Sequence, residues 1–169
     1  QYAPPPAPPQ YAPPPAPYAP AAPPVRPGMV TGAGITMIVL GSLVCLFGLL
    51  FLIGGVFVSG SSTAIDAQAP GFGNFAGAVG GVIIVFSLIF LAVGVLDIVA
   101  GANVLGGRSW ARITGIVLAA ILGLFGLASL GGNSANGGNA LFGFIVLAAN
   151  AFIIWGLATT GAWFASRSA

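Results

Sequence analysis

Three observations predict an all-α integral membrane protein, a bundle of four transmembrane helices preceded by a proline-rich tail that is polyproline II or disordered. Composition is the first: 57% of the 169 residues are hydrophobic and 4% are charged, too few polar groups to clothe a soluble domain. The second is four apolar runs, about 33–58, 77–104, 111–130 and 140–164. Each reaches the roughly 20 residues that a helix needs to cross the hydrocarbon core. The third is that thirteen of the fourteen prolines fall within the first 27 residues.

The tail, residues 1–28, repeats itself: QYAPPPAP at 1–8 recurs at 10–17, and Tyr18-Ala19-Pro20 begins a third copy. Proline fixes φ, lacks the N–H donor and pushes its predecessor toward extended backbone, so no regular helix or central strand forms here. The tail is either free or a docking strap. As a strap it would use Tyr2, Tyr11 and Tyr18 to pack on a partner while its exposed carbonyls accept hydrogen bonds.

Residues 29–169 make up the transmembrane domain. A β-barrel is excluded because the runs are continuously apolar and much longer than a barrel strand of about 9 to 11 residues. The spacers at 59–76 and 131–139 hold no basic residue, whereas Arg26, Arg108, Arg112 and Arg167 lie in the tail, around the turn at 105–110 and at the carboxyl end. By the positive-inside rule both termini and the middle turn are cytoplasmic, in a multi-pass plasma-membrane protein. Arg112 is expected to snorkel to the headgroups and Trp110 and Trp163 to anchor the interface, with Trp155 packed between helices.

Small residues recur at seven in the first two spans: Gly41, Gly48 and Gly55, then Gly80, Ser87, Gly94 and Gly101. Such stripes let helix backbones approach closely where lipid removes the hydrophobic drive. They serve packing inside the bundle or, on span one, a face offered to another membrane protein. Gly41, Gly48 and Gly55, beside Phe47 and Phe51, are therefore candidate partner-binding residues together with the tail tyrosines.

Asp97 is the one ionisable side chain well inside a span, and Asn150 is the obvious second intramembrane polar group. A carboxyl in hydrocarbon is costly enough to need a reason. Its depth matches that of Ser42 and Thr159, so a polar contact that fixes helix register is the expected role, with Arg112 as another candidate partner. Proton relay is the alternative, although a pathway needs a succession of polar stations.

Enzyme chemistry is not expected. The chain has no His and only two acidic residues, Asp66 and Asp97, and its single Cys45 lies within an apolar run. Triads, Cys–His pairs, haem ligation and two-carboxylate sites all lack their parts. No cofactor or metal is expected, and four arginines do not make a nucleic-acid groove.

The segment Gly101-Ala102-Asn103-Val104-Leu105-Gly106-Gly107-Arg108-Ser109-Trp110-Ala111-Arg112 resembles a pattern in small four-span membrane proteins of actinobacteria. In these a glycine-rich second helix ends in a Gly-Arg-x-Trp-Ala-Arg turn. The proline and tyrosine-rich tail before four short-looped spans is also similar to the proline-rich accessory factor of the actinobacterial respiratory supercomplex. What the resemblance implies is an accessory or assembly subunit without redox cofactors, docked at the edge of a larger integral membrane protein complex and otherwise facing lipid. An envelope or division adaptor is the alternative, and a small transporter or channel, with a cavity at Asp97 or Asn150, is a third.

Overall fold

The computed structural model describes residues 25–131 and 137–167, all of whose regular structure is helical. The tail tyrosines Tyr2, Tyr11 and Tyr18 lie outside the described residues. Six helices succeed one another: α1 (Gly28–Gly60), α2 (Ser62–Gln68), α3 (Phe72–Leu105), α4 (Ser109–Gly131), α5 (Gly137–Thr159) and α6 (Gly161–Ala165). Four of them, α1, α3, α4 and α5, are long and apolar enough to cross a membrane. The protein is a multi-pass membrane protein with the four predicted spans.

Two differences from the expected spans have local causes. The first spacer is not a plain loop, because Ser62–Gln68 forms α2 before Pro70 and a left-handed Gly71 (φ 89°) turn the chain into α3. Asp66 holds this corner: its Oδ1 accepts from Gly71 N at 2.9 Å and Gly73 N at 3.1 Å. The last span is also shorter than its apolar run. The helix breaks at Thr160, whose Oγ1 donates to Gly156 O at 2.7 Å, and α6 starts in a new direction.

The helices pair as two antiparallel hairpins, α1 with α3 and α4 with α5. Along α1 and α3 the glycine stripes are the contact. A Cβ placed on Gly41 would lie 2.8 Å from Gly94 O, one on Gly94 would lie 2.9 Å from Cys45 N, and one on Gly80 would lie 2.6 Å from Ser59 N. Backbone therefore meets backbone, a distance no larger residue permits.

The hairpins join at the end that carries the arginines. Val30, Ala33 and Met37 of α1, Ala100 and Val104 of α3, Ala111 and Ala119 of α4, Ile153 and Leu157 of α5, and Trp163 and Phe164 of α6 form the buried core. Met37 is its pivot, because a Cβ on Gly115 would meet Met37 Cε at 2.9 Å and Leu157 Cδ1 at 3.0 Å. Farther from this end, a cleft separates α1 from the α4–α5 hairpin. It is lined by Leu40, Leu43, Val44 and Phe47 on one side and Leu122, Phe142, Val146 and Asn150 on the other.

Candidate functional site

At the arginine end, α3 stops in a Schellman turn: Gly107 N donates to Val104 O at 3.0 Å and Arg108 N to Asn103 O at 3.1 Å, with Gly107 left-handed at φ 79°. A side chain on Gly107 is doubly excluded, because its Cβ would lie 3.0 Å from the Trp163 ring. That ring stacks edge-on against Phe164 with centroids 4.9 Å apart, and the Arg167 guanidinium lies 5.2 Å from its centroid. Sequence predicts Trp163 near the interface and Trp155 packed between helices; the packing expected of Trp155 does not form. Trp163 is buried, while Trp155 is 56% exposed on the outer face of α5. The break at Thr160 separates Trp163 from α5, so helical counting through a continuous α5 does not place its ring; Trp155 precedes the break.

Arg112 is the centre of this end. Its Nε donates to Leu157 O at 2.8 Å and its Nη2 to Ala158 O at 3.2 Å, carbonyls in the last turn of α5. Gly161 lies directly on the guanidinium: a Cβ there would be 2.9 Å from Nη2. Arg112 therefore caps α5, a contact the expected snorkelling did not include, with its side chain half-buried at the end of the bundle. The Trp-Ala-Arg triplet after the turn carried the signal for it, but the receiving carbonyls carry no side-chain signature.

The two predicted intramembrane polar residues are both buried, Asp97 at 2% and Asn150 at 1% exposure. Asp97 lies eight positions from the end of α3, about 12 Å. The contacts expected for it do not form. Ser42 Oγ donates to Ile38 O at 2.7 Å and Thr159 Oγ1 to Trp155 O at 2.9 Å, each satisfied within its own helix, and Arg112 is engaged with α5. Asp97 Oδ2 has no hydrogen-bond partner. Asn150 donates from Nδ2 to Val146 O at 2.8 Å, but its Oδ1 also has no partner. The bundle thus encloses two acceptor oxygens for which the described residues provide no donor.

Gly41, Gly48 and Gly55, expected from sequence to offer a partner face, are buried against α3. This is a correction: α3 carries the matching stripe and occupies the place of an outside helix. The bulky residues beside the stripe remain outward, among them Phe47, Phe51 and Phe57.

The far end of the α1–α3 hairpin carries two contrasting features. Between α2 and α3, Ser62, Thr63, Asp66 and Asn74 line an open groove of about 330 Å³. Around it Phe57, Phe72 and Phe75 are 73%, 60% and 65% exposed, and the last two meet edge-to-face with centroids 6.4 Å apart.

A family model described as a domain of unknown function (DUF7144) matches residues 85–162. That stretch includes Asp97, Arg112 and Asn150 and leaves out α1 and α2. No curated protein and no solved structure matches the chain.

Proposed function

We propose that this protein is a non-catalytic accessory or assembly subunit that docks on a larger integral membrane complex. In this reading it lies in the plasma membrane with both termini in the cytoplasm. The observation that carries the proposal is a mismatch of length. At about 1.5 Å per residue, α1 and α3, with 33 and 34 residues, are roughly 50 Å long, against about 35 Å for α4 and α5 with 23 each.

A bilayer is about 30 Å thick in its hydrocarbon and about 40–45 Å with its headgroups, and the ordinary tilt of about 20° shortens a helix by only a few per cent. With the arginine end held at one headgroup layer, Phe72 and Phe75 stand beyond the opposite hydrocarbon boundary. Aromatic side chains exposed there have neither lipid tails nor the protein's own core to cover them. Such a patch fits contact with another protein. The resemblance of the tail and spans makes a respiratory supercomplex the first candidate for that companion.

The test is purification of the tagged full-length chain in a gentle detergent. A multi-span companion complex should accompany it at fixed stoichiometry. The Phe57→Ser, Phe72→Ser, Phe75→Ser variant should insert normally yet lower the companion-to-bait ratio. Recovery of the chain alone, or a ratio untouched by the triple variant, would reject the reading.

A further inference from the structure

The cleft between α1 and the α4–α5 hairpin has a property that lipid contact does not explain. Of its lining residues, Leu40, Leu43, Phe47 and Phe142 make it apolar, and Asn150 is its one polar member. Asn150 is 1% exposed, and its Oδ1 has no donor. Nine positions separate it from Thr159 at the end of α5, about 13 Å, so the oxygen lies deep in the hydrocarbon.

Three sources of a donor can be compared. Lipid tails have none, and ester carbonyls near the headgroups only accept. Water needs two to four polar partners to be held, and Asn150 is the single polar residue here. A side chain from another transmembrane helix brings both an apolar body and a donor at the correct depth. Size points the same way. The cavity measures about 80 Å³, far below the roughly 300–1,000 Å³ of small-molecule sites, and on the scale of one side chain.

We propose that this cleft is a socket for a single hydroxyl-bearing side chain, Ser or Thr, projecting from a transmembrane helix of the partner and donating to Asn150 Oδ1. The inference rests on the accessory-subunit reading and adds the face and the chemistry of docking. Phe47 and Phe142 then flank the incoming helix, and the Asn150 amide, closed over in the isolated chain, turns toward the hydroxyl on docking. A single interhelical hydrogen bond of this kind changes association by about three- to tenfold in a membrane.

The experiment places the photoreactive amino acid p-benzoylphenylalanine at Phe142 in the full-length chain, irradiates native membranes and sequences the cross-linked peptide. The same probe at Ile89, on the lipid-facing side of α3, is the control. The expected product at Phe142 is one peptide from another protein's membrane span that contains Ser or Thr. Its yield should fall about three- to tenfold in Asn150→Leu, which removes the acceptor at nearly constant shape. It should fall comparably in Leu43→Trp, which fills the cleft from α1 and leaves Asn150 in place. Adducts to lipid alone, adducts to a second copy of this chain, or a yield unmoved in both variants would overturn the socket. If companions copurify at fixed stoichiometry while Phe142 labels only lipid, the socket fails and the accessory reading stands; if no companion is found, both fail.

Discussion

Asp97 and Arg112 show how differently two charged side chains can enter an apolar bundle. Arg112 brings donors to the carbonyls of the last turn of α5, so placing it there adds hydrogen bonds where the helix ends. Asp97 brings acceptors to a place that already lacks donors, and Oδ2 stays unpaired. A register-setting role, drawn from sequence, predicts that Asp97→Leu is harmful and Asp97→Asn tolerated. The geometry changes the expectation for Leu, which nearly matches Asp in shape and removes an unsatisfied buried acceptor. Asp97→Leu should insert normally and stabilise the bundle by about 1–3 kcal/mol, the usual cost of such a group. Thermal inactivation in detergent measures this, and a lower midpoint in the Leu variant would mean that the carboxyl has a partner or an occupant that matters to folding. A stable Leu variant that nonetheless loses its companions would place the role of Asp97 in assembly.

Between elements, the α1–α3 contact depends on glycine at some positions and is indifferent to it at others, which makes a controlled comparison possible. A Cβ on Gly94 would lie 2.6 Å from Cys45 Sγ and 2.8 Å from Gly41 O, whereas one on Gly54 meets nothing within 4 Å. Gly94→Ala must push two backbones apart and should cost about 1–3 kcal/mol, as overpacked cores do. Gly54→Ala should be neutral or slightly favourable, since alanine is the better helix former. Denaturant titration of the two variants reads the contrast, and equal stability would mean that the hairpin does not pack on this stripe. These stripes and the four spans are legible in the sequence because hydropathy and seven-residue spacing survive any arrangement of the helices. What the stripe packs against is not legible, because two complementary stripes in one chain look the same whether they meet each other or a stranger. The short helices escape for other reasons. α2 is seven residues, polar or small except for Ile65, with no apolar period, and the break before α6 is marked only by Thr159-Thr160-Gly161 inside an apolar run. Trp163 lies beyond that hidden break, and its burial is not legible for that reason. Asp97 and Asn150 are visible as intramembrane polar residues, but the absence of donors around them is a property of neighbours on other helices.

For the whole molecule, the uneven helix lengths and the uneven arginines make one joint statement about how the protein sits in a bilayer. Arg26, Arg108, Arg112 and Arg167 all belong to the end where the two hairpins join, and neither of the spacers at the other end contains a basic residue. By the positive-inside rule the joined end is the one expected in the cytoplasm. Measuring from there, Ile89 lies sixteen positions before Leu105, about 24 Å into the bilayer, and Phe75 lies thirty positions before it, about 45 Å and outside the hydrocarbon. Single cysteines in a Cys45→Ala background convert these levels into a measurement with an impermeant thiol reagent on intact spheroplasts. Thr63→Cys should be labelled from outside, as should Phe75→Cys once the chain is freed of its companion, and Ser109→Cys only after the membrane is opened. Ile89→Cys, at a position 54% exposed in the isolated protein against 65% for Phe75, should resist labelling in both conditions because lipid covers it. The reverse pattern at Thr63 and Ser109 would invert the protein in the membrane. Protection of Phe75 in spheroplasts that becomes labelling in the purified chain would be stronger still, since that change is what a partner seated on the projecting hairpin produces. Protection that persists in the purified chain within lipid nanodiscs would instead mean that the hairpin tilts far enough to sink its tip, and would remove the length mismatch as support for docking.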